Sequence, residues 1–389
     1  MHIHLTGSII KQVESIIQSA IEFEASDIHI EPFEKSFRLR FRLDGVLQKV
    51  SDLQVNQKEA LVSRVKIMAN LDIAEKRRPQ DGRIKVRSKK GIDIDLRVST
   101  LPTQYGEKVV MRILDKSHLN LELESLGFDG EVLSKFRKGI HNPYGMILVT
   151  GPTGSGKTTS LYAALNELNT QGVNITTIED PIEYNLEGIN QTQVHEEIDL
   201  TFANILRSIL RQDPNIIMVG EIRDKETAEI AIRSSLTGHL VFSTLHTNDA
   251  ASAVSRLTDM GVEPFLVTSS VRLVMAQRLV RKICQKCKEK DSPDFSLLKE
   301  LRLDQDKVTF YKGKGCEVCN HTGYKGRVAL IELLEMDSDL SNKIQLNANA
   351  GDIKKLATEK GMVSLREAGI QKVKDGLTTV EEIYRETVL

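Results

Sequence analysis

In the first third of this chain, apolar residues recur with the periods of strands and of amphipathic helices. From Phe37 to Leu43 every second residue is apolar and those between are arginines, which predicts a half-buried strand. Asp44-Gly45 then predicts a hairpin turn. The arginine face is open to two interpretations, a phosphate-contacting surface or a solvated or intersubunit face. Because similar helical and strand patterns surround it, we predict a small α+β domain over residues 1–114.

After residue 126, short apolar runs alternate with helical segments, as in a parallel α/β sheet. The predicted strands are 146–149, 174–178, 216–219 and 240–245. The predicted helices are 159–168, 202–210, 225–236, 250–260 and 263–279. Residues 115–126 are polar without a strong period, and they predict a linker. Residues 127–389 are therefore expected to form a second domain, with C-terminal helices over 337–389.

A glycine-rich segment stands between the strand at 146–149 and its helix. Gly151-Pro-Thr-Gly-Ser-Gly-Lys-Thr158 fits the pattern G-x-x-x-x-G-K-[ST], and its strand and helix context makes a chance match improbable. Such a turn presents several backbone N–H groups to one anion at the positive end of a helix dipole. Lys157 is expected to reach the β- and γ-phosphates, and the Thr158 hydroxyl to bind Mg2+. The nucleotide-binding residues are predicted to be Gly151, Pro152, Thr153, Gly154, Ser155, Gly156, Lys157, Thr158 and Thr159.

Carboxylates follow two of the other predicted strands. In open parallel sheets ligands bind outside the carboxyl ends of the strands, so these groups are expected near the phosphates. Glu221 follows four apolar residues and has the place of the acid that holds Mg2+ directly or through water. Hydrolysis also needs a carboxylate to orient and deprotonate water, and the candidates are Glu179, Asp180 and Glu183.

Histidines and arginines supply further candidates. A metal site at His239 and His246 is only weakly indicated, and a γ-phosphate sensor or a hydrogen-bonded core histidine is favoured over it. For His246, at a strand end, the sensor is the favoured role. Arg207 and Arg211 lie four residues apart, hence on one helical face. Arg97 and Arg112 lie in strands of the first domain. Any of these four arginines is a candidate for the phosphate site, and surface charge is the alternative for each.

The four cysteines form two C-x-x-C pairs, and 28 residues separate the pairs. Two such pairs clamping one tetrahedral ion is the pattern of a structural Zn2+ site. With every cysteine of the chain used, zinc is favoured over redox chemistry. Four thiolates fill the coordination sphere, so the zinc is not expected to be catalytic. The ligands are predicted to be Cys284, Cys287, Cys316 and Cys319.

Composition limits the functional classes. The chain has a formal net charge of -1, so no global basic field attracts nucleic acid or anionic lipid. Only 5% of its residues are aromatic, which leaves few side chains for stacking on nucleic-acid bases. No apolar run reaches the 18 or more residues of a membrane span. We therefore expect a cytoplasmic protein that contacts a membrane through partners.

At this point the motifs resemble a family. The glycine-rich segment, followed by Thr159, is similar to that of the secretion ATPases of type II secretion and type IV pilus systems. Further resemblance lies in Thr177-Ile-Glu-Asp-Pro-Ile-Glu183, Arg211-Gln-Asp-Pro-Asn-Ile-Ile-Met-Val-Gly-Glu-Ile-Arg-Asp224, Thr237-Gly-His-Leu-Val-Phe-Ser-Thr-Leu-His-Thr247, Ala25-Ser-Asp-Ile-His29 and Pro79-Gln-Asp-Gly-Arg83. It covers residues 20–336. The tetracysteine motif resembles that of the assembly and export branch, whereas the retraction motors lack it.

The resemblance implies a RecA-like P-loop ATPase domain, a smaller PAS-like α+β domain and a tetracysteine zinc subdomain over residues 280–330. It implies that Glu183 activates water, that Glu221 lies on the Mg2+ side, and that His239 and His246 belong to the histidine box. Residues expected at the phosphates are Arg97, Arg112, Arg207 and Arg211. The implied assembly is a homo-hexamer that hydrolyses ATP and acts on an inner-membrane platform protein to move pilin or pseudopilin subunits. Family members usually carry a further N-terminal domain that binds an adaptor protein, and little of this sequence precedes residue 20.

Two rival classes remain. A nucleic-acid motor is favoured by the basic run 278–290 and disfavoured by the near-neutral charge and the absence of tryptophan, and no direct nucleic-acid binding is expected. A small-molecule P-loop kinase would need an acceptor site and a lid, for which the sequence gives no sign.

Overall fold

The computed structural model describes residues 3, 5–114, 121–305 and 307–387. The chain forms two compact units, Met1–Leu119 and Asn120–Leu389. The predicted linker at 115–126 lies partly outside the described residues. In its described part, Leu123 is buried in the core of the second unit.

The first unit is a six-stranded sheet with two helices. The helices are α1 (Ile9–Glu22) and α2 (Lys58–Met68). The strands are β1 (Asp27–Pro32), β2 (Phe37–Leu43), β3 (Val46–Leu53), β4 (Gln80–Arg87), β5 (Asp93–Thr103) and β6 (Gly106–Leu114). Their order is β3-β2-β1-β6-β5-β4, and every neighbouring pair is antiparallel.

The alternating pattern of β2 explains how this sheet is covered. Phe37, Leu39 and Phe41 are fully buried in one cluster with the apolar residues of α1 and α2. The arginines between them lie on the opposite face, as a period of two requires. Asp44 and Gly45 have positive φ angles of 46° and 85°, as expected for the turn that joins β2 to β3.

The second unit contains a mixed seven-stranded sheet covered on both faces. Its described helices are α3 (Gly130–Ile140), α4 (Lys157–Leu168), α5 (Phe202–Ile209), α6 (Lys225–Leu236), α7 (Ala250–Asp259), α8 (Pro264–Ser270), α9 (Phe295–Glu300), α10 (Ser338–Gln345), α11 (Ala350–Glu359), α12 (Leu365–Lys374) and α13 (Val380–Thr387). Its strands are β7 (Gly145–Thr150), β8 (Ile175–Glu179), β9 (Asn190–Gln193), β10 (Ile216–Val219), β11 (Leu240–Leu245), β12 (Val271–Ile283), β13 (Lys288–Asp291), β14 (Phe310–Gly313) and β15 (Tyr324–Glu335). The α/β fold class predicted from the sequence is confirmed.

The sheet order is β15-β12-β7-β11-β10-β8-β9, with β13 and β14 paired separately. All neighbours are parallel except β12 and β15. Every residue of β7 is buried, and its side chains alternate between two hydrophobic clusters on the two faces. A strand covered on both sides has no polar face, which is why its sequence is a continuous apolar run.

The predicted helix at 263–279 is wrong over most of its length. Only α8 is helical, and Val271 begins the long strand β12, which lies between β7 and β15. The apolar residues of this stretch are buried on both faces of the sheet, and a fully buried strand cannot be distinguished from a buried helix by periodicity. No described helix is both long and apolar enough to cross a bilayer.

Candidate functional site

The glycine-rich segment joins the end of β7 to the start of α4. Gly151 and Gly156 have φ angles of 150° and 90°, which only glycine adopts readily. Close approach adds a second reason, because a Cβ atom on Gly151 would lie 2.5 Å from the Gln277 carbonyl oxygen. A Cβ atom on Gly156 would lie 2.9 Å from Gln277 Nε2. The segment is therefore packed directly against β12, and its backbone leads into the N-terminus of α4.

Lys157 is buried beneath this loop. Its Nζ donates hydrogen bonds to the carbonyl oxygens of Gly151 (2.8 Å) and Pro152 (3.1 Å). Burial lowers the pKa of Lys157, and the negative charge of Glu221 opposes that change. Thr158 and Thr159 follow in the first turn of α4 and are partly exposed. An ammonium group and the N-terminus of a helix thus lie together, which is the arrangement that binds phosphate.

Glu221 lies just after β10, between a histidine and an arginine. Its Oε2 is 3.3 Å from His246 Nε2, and its other oxygen pairs with Arg223. Arg223 Nη2 also lies 3.3 Å from Asp180 Oδ2. The structure therefore brings Glu221 and His246 together, as was predicted from their positions after two strands of one parallel sheet. Arg223 is a site residue not predicted above, although its place two residues after Glu221 was a usable signal.

The three candidate carboxylates after β8 have different surroundings. Glu179 is buried and accepts hydrogen bonds from Tyr162, from Thr177 Oγ1 (2.6 Å) and from Gln191 Nε2 (3.0 Å). Asp180 is exposed and pairs with Arg223. Glu183 is half-buried. Because three donors occupy the Glu179 carboxylate, it is poorly placed to take a proton from water.

The residues after His246 are hydrogen-bonded to β7, the strand that precedes the glycine-rich segment. We call that segment, residues 151–158, the phosphate loop. The Thr247 N–H donates to Thr150 Oγ1 (2.9 Å), and the two hydroxyl oxygens are 2.7 Å apart. Arg278, which is buried on β12, donates from Nη2 to the carbonyl oxygen of Asn248 (3.0 Å). These contacts fix the position of residues 246–249, which we call the His246 loop, relative to the end of β7.

A buried acid holds the other end of the same loop. Glu332 on β15 is fully buried, and it accepts the N–H groups of Ala250 (2.8 Å) and Leu365 (3.3 Å), the first residues of α7 and α12. Lys354 Nζ lies 3.9 Å from Glu332 Oε2 and 2.9 Å from Asp249 Oδ2. Burial raises the pKa of Glu332. Glu332 is not among the residues predicted above, although an acid inside the apolar run of β15 was a usable signal.

Arg207 and Arg211 make their contacts away from this site. Arg207 pairs with Glu226 at the start of α6 and donates to Asn204 Oδ1 (3.3 Å). Arg211 donates to the Arg207 carbonyl oxygen at 2.8 Å. In the described part of the chain, neither arginine forms a hydrogen bond or ion pair with the phosphate loop or Glu221.

His239 and His246 are separated by the whole of β11. His239 precedes the strand, and its Nδ1 lies 3.0 Å from the Ser234 carbonyl oxygen at the end of α6. His246 follows the strand at the opposite edge of the sheet. Six residues at about 3.3 Å each span roughly 20 Å, too far for two ligands of one ion. The metal site considered for this pair is therefore wrong.

Arg97 and Arg112 are neighbours within the first unit. They face each other across β5 and β6, and Arg83 lies opposite Arg97 on β4. Arg112 Nε is 3.1 Å from Asp27 Oδ1 on β1, and Arg42 Nε is 3.3 Å from the other oxygen. One row across the sheet therefore contains Asp27 and four arginines, and it is strongly basic. These arginines are Arg42, Arg112, Arg97 and Arg83.

The four cysteines meet in one cluster. All four Sγ atoms lie within 4.8 Å of one another, and the pairs Cys284–Cys316 and Cys287–Cys319 are both 3.8 Å apart. A tetrahedron of sulfurs at about 2.3 Å from zinc has edges of about 3.8 Å, so the cluster fits the ion. The N–H groups of Gly315 and Gly323 point at Sγ atoms from 3.3 Å, as is usual for metal-bound thiolates. Residues 284–323, between β12 and β15, carry this site.

The chain matches the family model described as "Type II/IV secretion system protein" over residues 4–385. It is 53% identical over 383 residues to the type IV pilus assembly ATPase PilB of Myxococcus xanthus. The aligned region covers 97% of this chain and 68% of that protein. It is 52% identical over 384 residues to the type II secretion system ATPase E of Vibrio cholerae, with coverage of 97% and 75%.

Solved structures show the same architecture. The pilus retraction motor PilT with bound ADP superimposes with a TM-score of 0.65 at 27% identity, over 96% of each chain. The ATPase DotB of Legionella pneumophila has a TM-score of 0.70 at 22% identity, over 96% of this chain and 94% of that one. The second likeness concerns the fold alone.

Proposed function

The chain belongs to the type II/IV secretion system protein family, and we propose that it is the motor that drives assembly of type IV pilin or secretion pseudopilin subunits. It is an ATPase, as its relatives are. The observation that carries the proposal is the contact between Glu221 and His246 beside the buried Lys157. An acid, a histidine and a phosphate-binding lysine from three adjacent strands are the parts that ATP hydrolysis requires.

In the proposed site each group has a separate task. Lys157 and the N-terminus of α4 bind the phosphates, while Thr158 and Glu221 hold Mg2+, which neutralises phosphate charge when bound. Glu183 orients the attacking water and accepts its proton, the role that the family resemblance gives it. His246 contacts the γ-phosphate, so the loop that begins at His246 responds to whether that phosphate is present.

Four arginines are proposed to offset phosphate charge in the transition state: Arg97, Arg112, Arg207 and Arg211. Arg207 and Arg211 would have to leave their present partners, and exposed side chains can do so at small cost. Arg211 lies beyond the end of α5, so the two do not share a helical face as predicted. An arginine at the transferred phosphate accelerates the reaction by roughly a thousandfold or more.

We further propose that six copies form a ring that acts on a polytopic platform protein of the inner membrane, with an adaptor protein as a further partner. Zinc held by Cys284, Cys287, Cys316 and Cys319 would stabilise residues 284–323 without taking part in catalysis. The ring and both partners derive from the family resemblance.

The basic run 278–290, which favoured a nucleic-acid motor, is partly buried. Arg278 binds Asn248, and Arg281 pairs with Glu382 while its guanidinium lies 4.0 Å from the centre of the Tyr324 ring. Lys288 lies over the Tyr311 ring. These cations are engaged within the fold, so the run is not a continuous basic strip for a phosphate backbone.

The proposal is tested by measuring phosphate release from MgATP in three conditions: the protein alone, with single-stranded DNA, and with the detergent-solubilised platform protein of the same system. We expect stimulation by the platform protein and none by DNA. Stimulation by DNA alone would establish the rival motor. A gene deletion that leaves pilus assembly and secretion intact would also overturn the proposal.

A further inference from the structure

Tyr162 lies on α4, five residues after Lys157, and its side chain is fully buried. It faces the end of β8 and the acidic turn that follows. A phenylalanine would fill the same volume, so the hydroxyl needs its own explanation. Burying a hydroxyl is unfavourable unless it is hydrogen-bonded.

The Tyr162 hydroxyl contacts the residue at which that turn begins, and Gln191 connects it to the residue after Glu183. The hydroxyl donates a hydrogen bond to Glu179 Oε2. Burial and the Glu179 carboxylate raise the pKa of Tyr162 far above its ordinary value, so the hydroxyl keeps its proton. The hydroxyl therefore joins the helix that begins at Lys157 to Glu179 at the end of β8 and, through Gln191 Nε2 at 3.4 Å, to the backbone of Tyr184, the residue after Glu183.

Gln191 on β9 closes the same cluster from the other side. Its Nε2 donates to Glu179 Oε1 (3.0 Å) and to the Tyr184 carbonyl oxygen (2.9 Å). Its Oε1 accepts the Leu186 N–H at 2.7 Å. Glu179, Tyr162 and Gln191 thus hold the turn before and after Glu183 by side-chain contacts of fixed geometry.

We propose that the Tyr162 hydroxyl is a positioning group for Glu183, which sets the distance between the water-activating carboxylate and the phosphate loop. This inference rests on the proposed role of Glu183. General-base catalysis requires the carboxylate within hydrogen-bond reach of water, and a misplacement of about 1 Å can cost a hundredfold in rate. Glu179 is a positioning residue by the same contacts.

The test is Tyr162→Phe, with Tyr144→Phe as the matched control, because Tyr144 is exposed and packs on Arg272. We expect Tyr162→Phe to lower kcat by about ten- to a hundredfold. KM for ATP and the affinity for MgADP should stay within about twofold, since the phosphate cradle is untouched. Tyr144→Phe should leave all three unchanged.

A double variant separates positioning from mere stability. In the Glu183→Gln background, single-turnover hydrolysis should not fall further when Tyr162→Phe is added, because both changes act through one group. A second fall of the same size would show an independent role and overturn the inference. Unchanged kcat in Tyr162→Phe would overturn it equally.

Gln191→Met covers the case in which Tyr162→Phe fails to fold, because methionine keeps the chain length without polar atoms. It should reproduce the loss of kcat with KM preserved, and a lowered melting temperature with normal kcat per folded molecule would overturn the inference. Near-normal turnover in Glu183→Gln alone would refute the proposed base instead. The two failures are therefore distinguishable.

Discussion

The Nε2 atom of His246 lies 3.3 Å from Oε2 of Glu221, although the two residues belong to different strands. The contact joins the first residue after β11 to the second residue after β10, and Arg223 occupies the other Glu221 oxygen. A cation that binds Glu221 therefore acts on the His246 loop as well. This gives the loop a physical means of responding to the nucleotide.

The first prediction concerns the base. Glu183→Gln should retain ATP binding and nearly abolish hydrolysis, because the amide cannot take a proton from water while the phosphate loop is intact. Lys157→Ala should lose both binding and turnover. The measurements are nucleotide affinity and phosphate release for each variant. Normal turnover in Glu183→Gln, with Asp180→Asn or Glu179→Gln inactive, would assign the base to another carboxylate.

The second prediction concerns zinc. Metal analysis of freshly purified, reduced protein should find one zinc per chain, and Cys316→Ser should lower that content. Chelation should unfold residues 284–323 while the seven-stranded sheet survives, since structural zinc contributes on the order of 10 kcal/mol to such modules. Hydrogen exchange read segment by segment would report this. Equal protection of the segment with and without metal would contradict it.

The third prediction concerns the arginines of the first unit. Arg97→Ala and Arg112→Ala should each leave ADP affinity nearly unchanged and reduce turnover strongly, because a guanidinium at the γ-phosphate acts on ATP and the transition state but not on ADP. The control is Arg87→Ala, an exposed residue at the end of β4. Turnover equal to that control would remove both arginines from the mechanism.

The fourth prediction is a pH dependence of stability in the first unit. Burial raises the pKa of Glu31, but hydrogen bonds and charge from Arg40, with hydrogen bonds from Arg38 and Lys108, outweigh it and lower the pKa to about 2 from 4.5. A lowered pKa means that the stabilisation is present above pH 4.5 and is lost as the pH falls towards 2. At about 1.4 kcal/mol per pKa unit, it is worth on the order of 3 kcal/mol.

The comparison that checks this is the free energy of unfolding of wild type and Glu31→Gln, from urea titrations followed by circular dichroism. The difference should be large at pH 7 and should shrink below pH 4.5. Glu22→Gln is the control, since Glu22 pairs with Lys89 at an exposed site and should change little. A difference as large at pH 2 as at pH 7 would mean that Glu31 contributes through packing alone.

Much of the second unit follows from local pattern. Helix α6 and strands β10 and β11 begin and end at the predicted residues. Asp224 explains one of these boundaries, because its side chain accepts the Thr227 N–H and caps α6. A short apolar run between turn residues can form few elements other than a buried strand, so the ends of such a strand can be predicted from local sequence alone.

Other features depend on pairings that the sequence does not contain. Strand β12 was predicted as helix because its apolar residues have no period that excludes one. Glu179 was weighed as a base because nothing local reveals that Tyr162 and Gln191 occupy its oxygens. His239 and His246 were considered together because a strand between them separates residues that are close in sequence. In each case tertiary contact decided the outcome.

Glu332 has a consequence for genetics. Two of its hydrogen-bonding or charged neighbours, Lys354 and the Leu365 N–H, come from the C-terminal helices, which contain none of the nucleotide motifs. A premature stop codon after Glu335 would remove both and leave an uncompensated acid in the core, beside the loop that begins at His246. Loss of such an ion partner costs about 3–5 kcal/mol in a buried site. Nonsense alleles at codons 336–354 should therefore abolish activity although they leave every nucleotide motif intact.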